Sequence, residues 1–172
     1  ISIKLIEFII LLSLSEIFFE CLSNVDKNLI KAVKVFDVYQ GKNIQEKYAH
    51  TYYSEFTLGL DFTARDLQTE CKKSGLPWEI AKGFDNSAPL SNQWLKISDF
   101  PNGILFSLNK NNETVQSGDS NQMIFSLDKI ISYLSKFITL KKGDIIFTGT
   151  PAGVGEVNIG DTLDAFVGDQ NV

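Results

Sequence analysis

Phe56, Leu58 and Leu60 alternate with Thr57 and Gly59, the period-two pattern of a strand. A helix from Ala64 to about Lys73 follows, with Thr63 as its N-cap and Asp66 as the capping partner three residues on. That helix sets Arg65 and Gln68 on one face, and Ser74, Gly75 and Pro77 stop it. Upstream, Ala32 to Tyr39 alternates as a strand, with Val33, Val35 and Asp37 on one face; Ile44 to Tyr53 reads as a helix. Downstream, Trp94 to Ile97 is a short strand. Ile104 to Leu108 and Glu113 to Gln116 flank a run of Asn109, Lys110, Asn111 and Asn112 as a β-hairpin, and Ser117 to Gln122 is polar loop. The strongest helical stripe is Leu127, Ile130, Ile131, Leu134, Phe137 and Ile138, capped by Ser126. Ile145 to Phe147 is a buried strand running into the glycine loop 148–155, and a turn at Asn158 to Asp161 leads to a last strand, Thr162 to Val167.

Residues 1–22 are apolar but interrupted by Glu7, Glu16 and Glu20. The run falls short of the roughly 20 residues of a membrane span. It also lacks the basic start and small-residue cleavage site of a signal peptide, and the arginines of a transit peptide. Two readings stay open: a buried strand or helix, or sequence foreign to the native reading frame.

A length of 172 residues predicts one domain, and thirteen phenylalanines favour a β-rich aromatic core. A net charge of −5 speaks against nucleic acid as the main partner, because phosphate binding needs a basic surface. Cys21 and Cys71 have neither ligand spacing nor a disulfide framework. His50, the single histidine, sits among Tyr48, Tyr52 and Tyr53 with no carboxylate partner in the pattern, and reads as a packed or surface residue.

The candidate chemistry lies between Gly59 and Asp85. An acid (Asp61), an arginine (Arg65), an amide (Gln68) and a lysine (Lys82) fall within one strand–helix–loop unit. They can form a ligand site, or Asp61 and Arg65 can be a structural ion pair. The glycine loop lacks the Lys-Ser/Thr end of a phosphate loop. Its glycines let backbone approach a ligand, with Thr150 as a hydroxyl donor; the alternative is a tight turn.

The words LDFTARDLQ, KKSGLPW and AKGFD, and further on MIFSLDKIISYLSKFITLKKGDIIFTGTPAGVG, resemble the fumarylacetoacetate hydrolase superfamily, most of all its small acylpyruvase and oxaloacetate decarboxylase branch. The resemblance runs from about Gly41 to Phe166. It implies an α+β, mostly β fold, a β-roll with a few flanking helices, in a homodimer. It divides the chain into a non-matching segment, 1–40, and an N-terminally incomplete catalytic domain, 41–172. In that branch Mg²⁺ or Mn²⁺ is held by three carboxylates, one of them Asp61. The resemblance further implies that Lys82 faces the carboxylate or enolate of a small 2-oxo acid and that Arg65, Gln68, Gly149 and Thr150 bind substrate. The reactions implied are acylpyruvate hydrolysis, oxaloacetate decarboxylation or tautomerisation, in a mitochondrial or cytoplasmic protein, with neither membrane nor nucleic acid as partner. The other two ligands form a Glu-x-Glu pair, and the ungapped register puts Ile30 and Ala32 at those positions. The family's His/Glu dyad has no counterpart either. The expectation is therefore impaired catalysis, with a non-catalytic dimer partner or weak ligand binder as the alternative.

Overall fold

The computed structural model describes residues 40–172 in full and, upstream, the backbone of the strands at 25–27 and 29–35. The strands are β1 (Val25–Lys27), β2 (Leu29–Val35), β3 (Tyr53–Leu60), β4 (Thr63–Ala64), β5 (Leu95–Lys96), β6 (Leu105–Lys110), β7 (Glu113–Asp119), β8 (Ile145–Phe147), β9 (Gly155–Val157), β10 (Leu163–Val167) and β11 (Gln170–Asn171). The helices are α1 (Glu46–Ala49), α2 (Arg65–Lys73) and α3 (Leu127–Leu134). Three antiparallel sheets result, in the orders β4-β1-β9, β11-β10-β6-β7 and β5-β3-β2-β8. The architecture is α+β and mostly β.

β3 is the spine. Its residues Phe56 to Gly59 are buried one after another, so both faces of the strand are covered. Phe56 and Leu58 pack with Ile104 and with Phe106, Leu108 and Val167 of the facing sheet. Phe56 meets the ring of Phe100 edge-on at 5.3 Å, the geometry the ring quadrupoles prefer. Thr57 donates to the Gln93 carbonyl at 2.7 Å. Glycine at 59 answers a close approach: a Cβ there would lie 2.7 Å from Leu90 Cδ2 and 2.9 Å from Phe147 Cε1.

A second cluster, including Ile44, Ala49, Ile130, Ile131, Leu134 and Ile146, lies between α1, α3 and β8. Ser126 caps α3 as its sequence predicts, accepting from Lys129 N–H. Tyr53 joins β3 to α3 by donating to Asp128 at 3.0 Å. Burial first, and then that carboxylate, hold the phenol well above its ordinary range.

The two-residue hairpin turn between β6 and β7 falls where the asparagine run predicts it. Asn111 and Asn112 have φ of 52° and 68°, and asparagine tolerates this left-handed region better than most residues.

Several elements differ from the pattern-based expectation. The α3 stripe stops at Leu134, where Ser135 is the C-cap. The Ser135 hydroxyl accepts from Ile44 N–H and donates to the Ser132 carbonyl, which ends the helix and leaves Phe137 exposed. Thr63 is not the N-cap of α2. It lies in β4, fully buried, its backbone paired with Asp26, and α2 starts from Ala64. The Asp66 carboxylate accepts from Leu67 N–H instead. The expected helix over 44–53 splits into α1 and a 3₁₀ turn, His50–Tyr52. β7 runs on to Asp119 through part of the expected loop, and the strand expected at Trp94 to Ile97 narrows to Leu95–Lys96. The strand expected over 32–39 starts at Leu29, and its end at 36–39 lies outside the described residues. So does segment 1–22. Among the described residues no helix is long and apolar enough to cross a membrane.

The turn before β10 carries a pH-dependent component of stability. Asp161 accepts from Asn158 N–H at 2.8 Å and from Asn111 Nδ2 at 2.7 Å, and Lys110 Nζ lies 2.9 Å away. These donors favour the charged form, the backbone N–H most, and lower its pKa from 3.8 to about 2. A depressed carboxylate contributes stability above its unfolded value and loses it as pH falls through the folded one. Between 3.8 and about 2, Asp161→Asn should therefore lose less stability than the parent. Urea midpoints of both proteins at the two ends of that window check this; equal losses would remove Asp161 from the account.

Candidate functional site

Asp61 follows the last residue of β3, and Lys82 follows a 3₁₀ turn, Glu79–Ala81, that packs against α2. Both side chains are 5% exposed, and Lys82 Nζ is ion-paired with Asp61 Oδ2. Burying two such charges is tolerable because each supplies the other's counter-charge. Among the described residues Asp61 is thus paired with a lysine twenty-one residues downstream, where local spacing suggested Arg65.

α2 carries the next two candidates. Arg65 Nη1 donates to Gln68 Oε1 at 2.6 Å, so the pair shares one face as its spacing predicts. Gln68 is buried, and its Nε2 has no hydrogen-bond partner among the described residues. A buried amide held by one end presents an unused donor.

Topology accounts for the glycine loop. β3 and β8 each pair antiparallel with β2, one on either side, so they run in the same direction. Asp61 and the loop that begins at Thr148 therefore leave this sheet toward the same end, β3 ending opposite Leu29 and β8 opposite Ala32, three residues apart along β2. Two strand spacings separate β3 from β8, roughly 10 Å. Gly149, at φ 126°, and Thr150 are exposed in that loop. Gln116 of β7 anchors it, donating to the Pro151 carbonyl at 3.4 Å.

Two contributors were not foreseen. Gln116 is one, because the strand pattern carries no hint that β7 holds the loop. Ser87 is the other: it is 1% exposed, its carbonyl accepts from Phe62 N–H at 2.7 Å beside Asp61, and its hydroxyl has no partner among the described residues. His50 is exposed on the 3₁₀ turn after α1. Cys71 is buried in α2 as a free thiol. A groove of about 540 Å³ along α2 takes in Arg65, Asp66, Glu70 and Glu156 but neither Asp61 nor Lys82.

Register also fixes what faces the acid's strand. Ile30 pairs with Gly59, and Ala32 with Thr57 and Phe147. Neither residue type offers an oxygen or nitrogen ligand. Among the described residues no group of three His, Cys, Asp or Glu could hold a metal ion.

A family model, the C-terminal domain of fumarylacetoacetate (FAA) hydrolase, matches residues 35–170. The chain belongs to the fumarylacetoacetate hydrolase family. The match begins upstream of Gly41, where the resemblance was expected to start. A mitochondrial oxaloacetate tautomerase of Homo sapiens is 49% identical over 124 residues, which cover 71% of this chain and 56% of that protein. An oxaloacetate tautomerase of Escherichia coli is 43% identical over 121 residues, covering 69% of this chain and 55% of that protein. The chain thus spans little more than half the length of these relatives. A fumarylpyruvate hydrolase of Pseudomonas aeruginosa, solved in complex with Mn²⁺ and pyruvate, superposes with a TM-score of 0.79 at 33% identity, covering 90% of this chain and 66% of that one. These three relatives are by name enzymes of small organic acids.

Proposed function

We propose that this chain carries the 2-oxo acid site of a fumarylacetoacetate hydrolase family enzyme, and that its reaction is keto–enol tautomerisation of an oxaloacetate-like substrate. Acylpyruvate hydrolysis and oxaloacetate decarboxylation are the other members of the reaction class. The observation that carries the reading is the buried Lys82–Asp61 pair at the strand end toward which the glycine loop also leaves the sheet. Lys82 is the cation that meets the substrate carboxylate or the enolate oxygen. Arg65 and Gln68 position the acid from α2, Thr150 hydrogen-bonds it, and Gly149 lets the loop backbone come close.

Tautomerisation is favoured over hydrolysis on chemical grounds. It moves a proton between C3 and the 2-oxo oxygen, breaks no carbon–carbon bond and consumes no water. The described residues present no His/Glu dyad to activate water. The Mn²⁺ of the Pseudomonas aeruginosa enzyme raises the question of a divalent cation here. Such a cation supplies Lewis acidity toward a 2-oxo group. Among the described residues the donor set does not fit it: Asp61 is one carboxylate, paired with an ammonium, and the residue types at Ile30 and Ala32 add none.

The test follows the ultraviolet absorbance of oxaloacetate enol and the loss of acetylpyruvate. Enol–keto exchange should run above the buffer rate and collapse in Lys82→Ala. His50→Ala should leave it unchanged, since nothing in the site involves that ring. No acceleration with either substrate, together with retained pyruvate binding, would replace the enzyme by a non-catalytic binder. A His50→Ala variant that loses all activity while Lys82→Ala keeps it would overturn the site.

A further inference from the structure

We infer that Gln116 is a positioning residue: from β7, in the facing sheet, it sets the orientation of Thr150 in the glycine loop and so the grip of the site on its 2-oxo acid. The inference rests on the 2-oxo acid reading above, in which Thr150 hydrogen-bonds the substrate.

The argument begins with an amide in an apolar residue's place. Within β7 only Gln116 is buried; every other residue of the strand is half-buried or exposed. Burying an amide is costly unless its polar atoms are bonded, so a position that served packing alone would favour an apolar side chain. The backbone is shaped around this residue as well. The register steps from Leu108–Gln116 to Asn109–Thr114, which leaves Val115 as a bulge beside it. A bulge re-aims the neighbouring side chain. Gln116 then meets the loop twice. Its Nε2 donates to the Pro151 carbonyl at 3.4 Å, a long contact. Its stem also lies against Gly153, where a Cβ would come within 2.9 Å of Gln116 Cγ and 3.3 Å of its Cα. The hold is therefore shared between a hydrogen bond and close packing.

Proline passes that hold to Thr150. The ends of the loop are tied elsewhere, β8 to β2 and β9 to β1, so its middle takes its position from β7. The ring of Pro151 locks φ near about −65°. Its bulk keeps the preceding residue, Thr150, in the extended region. Few free rotations then separate the held Pro151 carbonyl from the Thr150 hydroxyl. Thr150 itself is exposed, and without this support its side chain would have no fixed place beside the ligand.

The experiment is a double-mutant cycle on oxaloacetate enol–keto exchange, with Gln116→Met, Thr150→Val and the two combined. Methionine keeps the length of the side chain and removes its donor; valine removes the hydroxyl of Thr150. Each single variant should lower kcat/KM by about 10- to 100-fold, at most the scale on which a small misplacement acts. The double variant should fall below the lower single by no more than about 2-fold, the scatter within which independent effects add. Urea midpoints of all four proteins should stay close together, because the half-buried Pro151 carbonyl can turn to water. Losses that multiply in the double variant would overturn the inference, since the amide would then act on the fold at large rather than through Thr150. Parental turnover in Gln116→Met, with Thr150→Val impaired, would overturn it and leave the 2-oxo acid reading standing. If Thr150→Val and Lys82→Ala both exchange oxaloacetate like the parent, the reading and the inference fall together. Should Gln116→Met not fold, Pro151→Gly replaces it in the cycle. That variant keeps the carbonyl and frees φ, so it should be impaired alone and add nothing to Thr150→Val; parental turnover in it would overturn the inference.

Discussion

Lys82→Ala should lower enol–keto turnover by about 100- to 1000-fold, the usual loss when one preorganised charge-stabilising group is removed. It should also destabilise the fold by about 3–5 kcal/mol, because Asp61 loses a buried counter-charge. Loss of structure can mimic loss of function, so the two effects need separating. Lys82→Met keeps most of the side-chain volume and removes the charge. Combining it with Asp61→Asn removes both charges at once, and replacing a buried pair in this way is often neutral for stability. The double variant should therefore recover most of the urea midpoint while turnover stays low. Recovery of both would mean that the pair only holds the loop in place. A single Lys82→Met variant as stable as the parent would mean that Asp61 is compensated by another group.

The site was legible in the sequence to the extent that it is local. Asp61, Arg65 and Gln68 fall in one strand-to-helix unit, and the structure keeps Arg65 and Gln68 in contact. The choice of Lys82 rather than Arg65 as the partner of Asp61 was not legible from spacing. It depends on the 3₁₀ turn at Glu79–Ala81 packing back on α2. Long-range pairing accounts for the other misses. Thr63 has the residue type and position of an N-cap, but the ladder with Val25 and Asp26 claims its backbone first. β9 is a three-residue strand in a glycine-rich stretch, and it exists because β1 pairs with it. At α3 the apolar periodicity continues past the point where the Ser135 hydroxyl ties the chain to Ile44 and Ser132. Hydrophobic pattern reports which face is buried; it does not report where a side-chain hydrogen bond stops an element.

Gly153→Ala should reduce turnover by about 100-fold, the scale on which small misplacements of a positioning group act. The residue has φ 102°, a conformation that an alanine adopts only with strain. More decisively, a Cβ there would overlap the Val115 carbonyl oxygen and come within 2.9 Å of Gln116 Cγ. That carbonyl cannot give way easily. The β6–β7 ladder steps from Leu108–Gln116 to Asn109–Thr114, which leaves Val115 as an extra residue without an opposite number. Such a bulge, its neighbours hydrogen-bonded on both sides, aims its backbone in a fixed direction. The loop 148–155 must move instead, stretching the Gln116–Pro151 contact and carrying Thr150 with it. Gly143→Ala is the matching control. Its φ of 87° imposes comparable strain, yet nothing lies within 4 Å of a Cβ there, so it should cost stability and spare turnover. Steady-state rates and thermal midpoints of the two variants, measured side by side, decide the matter. If Gly153→Ala turns over oxaloacetate as fast as Gly143→Ala does, the glycine loop has no part in holding the substrate.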